Sequence, residues 1–101
     1  MRILPEPVIF EWDLGNLDKN WAKHKVRNQE AEEVFFSDPA QIFEDERHSG
    51  SEKRFMLWGM TSKSRKLAVI FTFRAGRVRI ISARDMHKKE RRAYEKFKKN
   101  P

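Results

Sequence analysis

The stretch FMLWGMTSKSRKLAVIFTFRAGRVRIISAR, residues 55–84, decides the fold. Three runs within it, 55–61, 66–73 and 77–83, are rich in β-branched and aromatic residues and are parted only by Ser62-Lys63-Ser64-Arg65 and by Ala75-Gly76. Linkers of that length reverse a strand, whereas a parallel return needs a crossover of about a dozen residues or more. The spacing therefore predicts an antiparallel meander. Strict alternation through its last run puts Arg77 and Arg79 on one side with Ile81, and Arg84 on the other with Val78, Ile80 and Ser82. One of these sets must then seat an arginine beside apolar positions.

Upstream of the meander, 41–46 suits a further strand, and the tract DERHSGSEKR that follows has turn chemistry around Ser49, Gly50 and Ser51. Asp38-Pro39 stops a helix read from QEAEEVFF. Asn28 is its candidate cap, Ala31, Val34 and Phe35 form its inner stripe, and Glu30, Glu32 and Glu33 favour the positive end of its dipole. Asp18 is the candidate cap of an earlier helix over 19–25, with Leu17 and Trp21 turned inward. Before it, Val8-Ile9-Phe10-Glu11-Trp12 suits a short first strand ending at Asp13. Downstream, Asp85 is a candidate cap for MHKKERRAYEKFKKN, in which Met86, Glu90, Tyr94 and Phe97 recur at helical spacing. The fold expected is α+β in one domain, 1–101: a three-stranded meander plus one or two N-terminal strands, two N-terminal helices and one C-terminal helix.

Composition narrows the function classes. Eight Phe and three Trp supply large side chains for one modest core, and the absence of Cys removes disulfides, thiolate metal sites and a thiol nucleophile. No apolar run has the length of a membrane span, and the start lacks the sustained apolar stretch of a signal peptide, so a soluble, cytoplasmic protein with no membrane contact is expected. Charge is uneven: residues 1–50 hold six Lys or Arg against eleven Asp or Glu, and residues 51–101 hold sixteen against four, giving −5 and +12. A cationic surface built by the second half suits a nucleic acid, although a basic protein that is merely well solvated has the same composition.

Several separated strings carry a resemblance. FEWD at 10–13, Asn20 with Lys23-His24, the set Ala31, Val34, Phe35, Asp38 and Pro39, and RIISAR at 79–84 resemble the BrnT toxins. Asp45, His48, Glu52 and Arg54 fit a further segment of that family, Gly59 its strand glycine, and Glu90-Arg91 with Tyr94-Glu95 its ending. The resemblance implies a fold similar to the RelE-type toxins and RNA cleavage that arrests protein synthesis. It also implies neutralisation by a BrnA-like DNA-binding antitoxin of ribbon-helix-helix type, with DNA bound only through that partner. One departure stands out: Lys25-Val26 follows His24 where the family usually has Gly-Val, so Lys25 must make a turn that glycine normally makes.

RNA cleavage of this kind, with no metal or cofactor expected, needs a group to take the 2′-hydroxyl proton, a group to protonate the leaving oxygen, and positive charge at the crowded phosphate. The catalytic candidates are His24, Lys23, Glu52, Arg79 and Arg65; the RNA-binding candidates are Arg54, His48, Arg77, Arg84, Lys63 and Trp58. Histidine is the side chain that ordinarily exchanges protons near neutrality, and the forked guanidinium suits phosphate. Each has a plainer role too: His24 in closing a helix, His48 and Glu52 in a solvated turn, and every strand arginine in an ion pair with Glu52, Asp45 or Glu90. Trp12 and Trp21 are expected in the core, Tyr94 is expected to pack, and Trp58 is open between packing and base stacking. The substrate expected is RNA, free or as ribosome-bound mRNA. A noncatalytic basic module that occupies RNA or the ribosome fits the same composition, and a DNA-contacting regulator ranks last for want of a recognition helix. The nuclease reading depends on strand guanidiniums converging on one phosphodiester; arginines splayed apart, each on its own carboxylate, count against that basis.

Overall fold

The computed structural model describes residues 4–47 and 50–100. They form α1 (Lys19–His24), α2 (Asn28–Glu33), a short 3-10 turn (Val34–Phe36), strands β1 (Gln41–Glu44), β2 (Phe55–Met60), β3 (Lys66–Arg74) and β4 (Arg77–Asp85), and α3 (Lys88–Lys99). The strands make one antiparallel sheet in the order β1-β2-β3-β4. The fold is α+β as expected, and one named strand precedes the meander.

Both faces of the sheet are covered, which explains the dense apolar runs. On one face Leu57, Leu67, Val69, Phe71, Val78, Ile80 and Ala83 pack on Val26, Ala31, Val34 and Phe35 from the α1–α2 side. Phe71 meets Phe35, Phe55 and Phe73 at ring separations of 5.0 to 5.6 Å, mostly edge to face, the geometry that aromatic quadrupoles favour. On the other face α3 lays Met86 and the fully buried Tyr94 over Ala68, flanked by Met56, Trp58 and Met60. The Tyr94 hydroxyl donates to the Pro39 carbonyl at 2.7 Å, so the ring packs with its polar tip satisfied.

Several local expectations are corrected by tertiary contacts. Residues 8–13 form no strand: Phe10 makes one parallel bridge to Val78, with Glu11 N–H donating to the Val78 carbonyl and Val78 N–H to the Ile9 carbonyl, both at 2.8 Å. Asp18 holds the N-cap position of α1 without a side-chain capping bond, and Arg27 rather than Asn28 holds that of α2; the Asn28 amide donates to the Asp18 carboxylate at 3.0 Å and the Asp18 N–H to Asn28 Oδ1 at 3.2 Å. Glu30 instead reaches back to the Arg27 N–H at 3.0 Å. Asp85 ends β4, and α3 begins after His87, whose N–H donates to Glu90 at 2.8 Å. Leu17 and Trp21 are exposed, Trp21 lying under Lys25 and Arg27 at 5.2 and 5.6 Å.

The most consequential correction concerns β4. Phe71 pairs with Ile80 but Ile70 pairs with Ser82, leaving Ile81 as an extra residue. That bulge reverses the alternation beyond it. Arg79, opposite Thr72, and Arg84, opposite Ala68, therefore share one face, while Val78, Ile80 and Ala83 share the core face. The arginine that strict parity set among buried apolar residues is spared that burial.

Gly59 shows how closely the layers approach. A Cβ there would lie 2.8 Å from the Val34 carbonyl oxygen and 3.1 Å from Ser37 Cβ. Gly59→Ala must push the 3-10 turn off the sheet and is expected to cost about 1–3 kcal/mol. A thermal melt with an unchanged midpoint would show that the turn is free to shift.

Candidate functional site

Lys23 and His24 occupy the last turn of α1, where cations oppose the negative end of the helix dipole. Lys25 then adopts the left-handed conformation (φ 56°), with its N–H donating to the Trp21 carbonyl at 3.1 Å and the Val26 N–H to the Asn20 carbonyl at 3.2 Å. The turn expected of Lys25 is thus made, against a steric preference of about 1–2 kcal/mol for an L-residue. Two buried asparagines seat this region on β4: Asn20 Oδ1 accepts the Ala83 N–H at 2.9 Å, and Asn16 donates to the Ile80 carbonyl at 3.0 Å.

One guanidinium fastens the turn. Arg65 donates from Nη1 to the Lys25 carbonyl at 2.9 Å and from Nη2 to the His24 carbonyl at 3.4 Å. Its Nε and Nη2 grip Asp85 at 2.8 and 3.1 Å, and Nη1 lies 3.2 Å from both Glu30 carboxylate oxygens. Asp85 thereby raises the Arg65 pKa, burial opposing, and Arg65 holds Asp85 below the ordinary carboxylate range, with Arg91 and His24 adding positive charge nearby. Lys63 stands exposed in the same hairpin turn. Lys23, His24, Arg65 and Lys63 are therefore brought to one end of the sheet.

The other candidates stand elsewhere. Arg79 is almost fully covered, bonding Asp13 at 2.8 and 3.0 Å and Glu11 at 3.0 Å; Asp13 raises its pKa, and Arg79 lowers that of Asp13. Arg84 bonds Glu90 at 2.7 and 3.0 Å. That contact raises the Arg84 pKa; burial pushes Glu90 upward but is outweighed by Arg84 and the His87 N–H. Glu52 accepts from Arg74 Nε at 3.1 Å, next to the β3–β4 turn that carries Arg77, at the end of the sheet remote from His24. Arg54 leads into β2 and also has an interaction partner. Trp58 is half-buried beneath α3 and meets Phe43 edge to face at 4.9 Å. His48 lies outside the described residues.

Arg79 and Arg84 share a face, yet their partners Thr72 and Ala68 stand four residues apart on β3, which separates them by roughly 13 Å. Among the described residues the guanidiniums of Arg65, Arg79 and Arg84 form no common cleft, and each is held by carboxylates. Arg65, Arg79 and Arg84 are thus held apart, whereas Arg77 pairs directly with Arg74 across the β3–β4 turn, close to Arg79. Pairing with Glu90 was among the alternatives read from sequence; Glu11, Asp13, Glu30 and Asp85 were missed, because no local spacing links residues so far apart in the chain. The acid-rich first half facing a base-rich second half was the available signal.

Among the described residues, no group of three or more His, Asp or Glu is arranged to hold a metal ion, and no helix is long and apolar enough to cross a membrane. What stands exposed at one end of this small basic α+β protein is a histidine–lysine turn, with Asp85 nearby and engaged by Arg65. A family model described as the ribonuclease toxin, BrnT, of type II toxin–antitoxin systems matches residues 12–90, and the chain belongs to that family. No curated protein matches the chain.

Asp13, Asp85 and Glu90 all have folded pKa values below their ordinary ones of 3.8, 3.8 and 4.5. Their stabilisation is complete above the ordinary values and is lost as pH falls through the folded ones. Thermal midpoints are expected to be level above about pH 5 and to fall below about pH 4. Arg65→Met should cost about 1–2 kcal/mol at neutral pH after allowance for solvent screening and should make the acid limb shallower. An unaltered acid limb would show that the Arg65–Asp85 pair is energetically idle.

Proposed function

We propose that this protein is a metal-independent endoribonuclease whose chemistry is carried out at the Lys23-His24 turn. The observation that supports this most directly is that His24 and Lys23 stand exposed where Arg65 hydrogen-bonds the His24 and Lys25 carbonyls, within a chain of a ribonuclease toxin family. The 2′-oxygen of RNA attacks the adjacent phosphorus, the bond to the 5′-oxygen breaks, and a cyclic phosphate and a 5′-hydroxyl result. One proton leaves the 2′-oxygen and one reaches the 5′-oxygen, so no net proton is consumed. His24 exchanges a proton with the reacting oxygens, Lys23 and Lys63 offset the phosphate charge, and Arg65 is a positioning residue because its donors are already engaged. Arg79 and Glu52 are assigned no contact with the reacting atoms.

In this reading the toxin, in the cytoplasm, cleaves free or ribosome-bound mRNA and so arrests translation, on a sheet resembling that of RelE-type toxins. A BrnA-like ribbon-helix-helix antitoxin silences it and carries any DNA binding. A second reading, occupancy of RNA or the ribosome without cleavage, is favoured by the saturated arginines, which leave lysine-rich surface available for binding alone.

Incubation of the purified chain with unstructured RNA separates the two. His24→Ala is expected to lower cleavage at least about 100-fold with the fold intact. Arg79→Ala should lower the thermal midpoint by several degrees, since about 1 kcal/mol shifts a domain of this size by roughly 4–8 °C, and leave cleavage by the folded protein within a few-fold. Tight binding with intact RNA would establish occupancy, and cleavage lost only in the Arg79 variant would move the chemistry away from His24. An antitoxin that covers this basic surface must present an acidic or amphipathic segment, so its complex should weaken by about tenfold or more across a salt series up to about 1 M. A dissociation constant indifferent to salt would contradict that mode of inhibition.

A further inference from the structure

The C-terminal helix carries a feature that the proposed chemistry leaves unused. Lys88, Arg92, Lys96 and Lys99 fall at i, i+4, i+8 and i+11 along α3, so they form one stripe roughly 16 Å long. All four are exposed, and among the described residues none forms a salt bridge. The opposite side of the helix is committed to the core through Tyr94 and Phe97, so the lysines do not repeat a pattern that burial requires.

Two details speak against an idle solvated face. Lys88 and Lys89 open the helix, where cations are disfavoured by the positive end of its dipole. The one acid in that turn, Glu90, is taken up by Arg84 and the His87 N–H and does not offset them. The stripe also lines a shallow, open groove of about 800 Å³ to which β3 contributes Lys66. Glu95, the acid in that groove, is neutralised by Lys66 at 2.6 Å. Lys66 directly follows Arg65, and Arg91, also on the groove, adds to the positive field at Asp85. The groove therefore begins beside the Arg65–Asp85 junction that holds the Lys23-His24 turn.

We propose that the α3 groove is a track for the sugar-phosphate backbone of single-stranded RNA, leading the strand toward His24. The inference rests on the ribonuclease reading only for what happens at the end of the track. One helix length is too short to span the roughly 16 base pairs that double-stranded RNA recognition covers. The aromatic side chains of α3 face inward, so the grip is by charge without base stacking, and it tolerates any sequence.

The test measures binding of a labelled, unstructured 2′-O-methyl RNA, which lacks the attacking hydroxyl, to the full chain by fluorescence anisotropy over a salt series. Replacing Lys88, Arg92, Lys96 and Lys99 together by Gln should weaken binding at least about tenfold at roughly 0.1 M salt and reduce the salt slope by about 3, since each single-strand phosphate contact contributes about 0.7. A variant with Lys88→Arg, Lys96→Arg and Lys99→Arg keeps the charge and should bind as the parent does, which separates charge from helix damage. Exchanging the RNA sequence should leave the α3 contribution unchanged. An unaltered affinity and slope in the neutralised variant overturns the track, as does a loss confined to the binding of an acidic peptide, which would make α3 a protein-docking face. The ribonuclease reading fails separately: unmodified RNA bound along α3 but never cut would leave the track standing without the nuclease.

Discussion

The Arg65 guanidinium is the tie on which the candidate site of this molecule depends. It joins the turn after α1, the start of α2 and the last residue of β4 through two backbone carbonyls and two carboxylates. A residue in the left-handed conformation without glycine's freedom, Lys25, needs such support, because the strain is tolerated only where the surroundings over-determine it. Arg65 thereby converts a strained backbone into a fixed platform for His24. Ammonium in its place would lack the planar fork that reaches carbonyls and carboxylates at once.

The same logic explains the lopsided charge. The acidic first half folds over the basic second half, and Glu11, Asp13 and Glu30 each close on a strand or hairpin arginine contributed by it. Arginines on the sheet serve cohesion between segments far apart in the chain. Many of the lysines, among them Lys23, Lys63, Lys88, Lys96 and Lys99, are left exposed, with flexible and strongly hydrated heads. The exposed positive charge therefore differs in location from the charge that sequence assigns to the strands, and this shifts the candidate chemistry from the sheet face to a helix end.

The bulge at Ile81 makes the two functions of β4 compatible. Val78, Ile80 and Ala83 must all face the core, yet they are not evenly spaced by two. One extra residue restores the alternation and turns Arg84 to the outer face, where Glu90 at the start of α3 receives it. Strand arginines and buried aliphatics thus coexist without a guanidinium stranded among apolar side chains.

Sequence alone determined the α+β class, the antiparallel meander with its three runs, the inner stripe Ala31, Val34 and Phe35, and the strained turn at Lys25, because short linkers, hydrophobic periodicity and steric preference are local properties of the chain. The strings at 10–13, 20–24 and 79–84 also carried the family. Only tertiary structure decided the rest: that residues 8–13 make a single bridge, that Asp18 and Asn28 bond each other, and that Trp21 lies outside. It also decided which anion each arginine holds, and that His24 stands with Arg65 and apart from Arg79. A guanidinium chooses its partner by distance in space, and one bulge or left-handed residue suffices to change which distances are short.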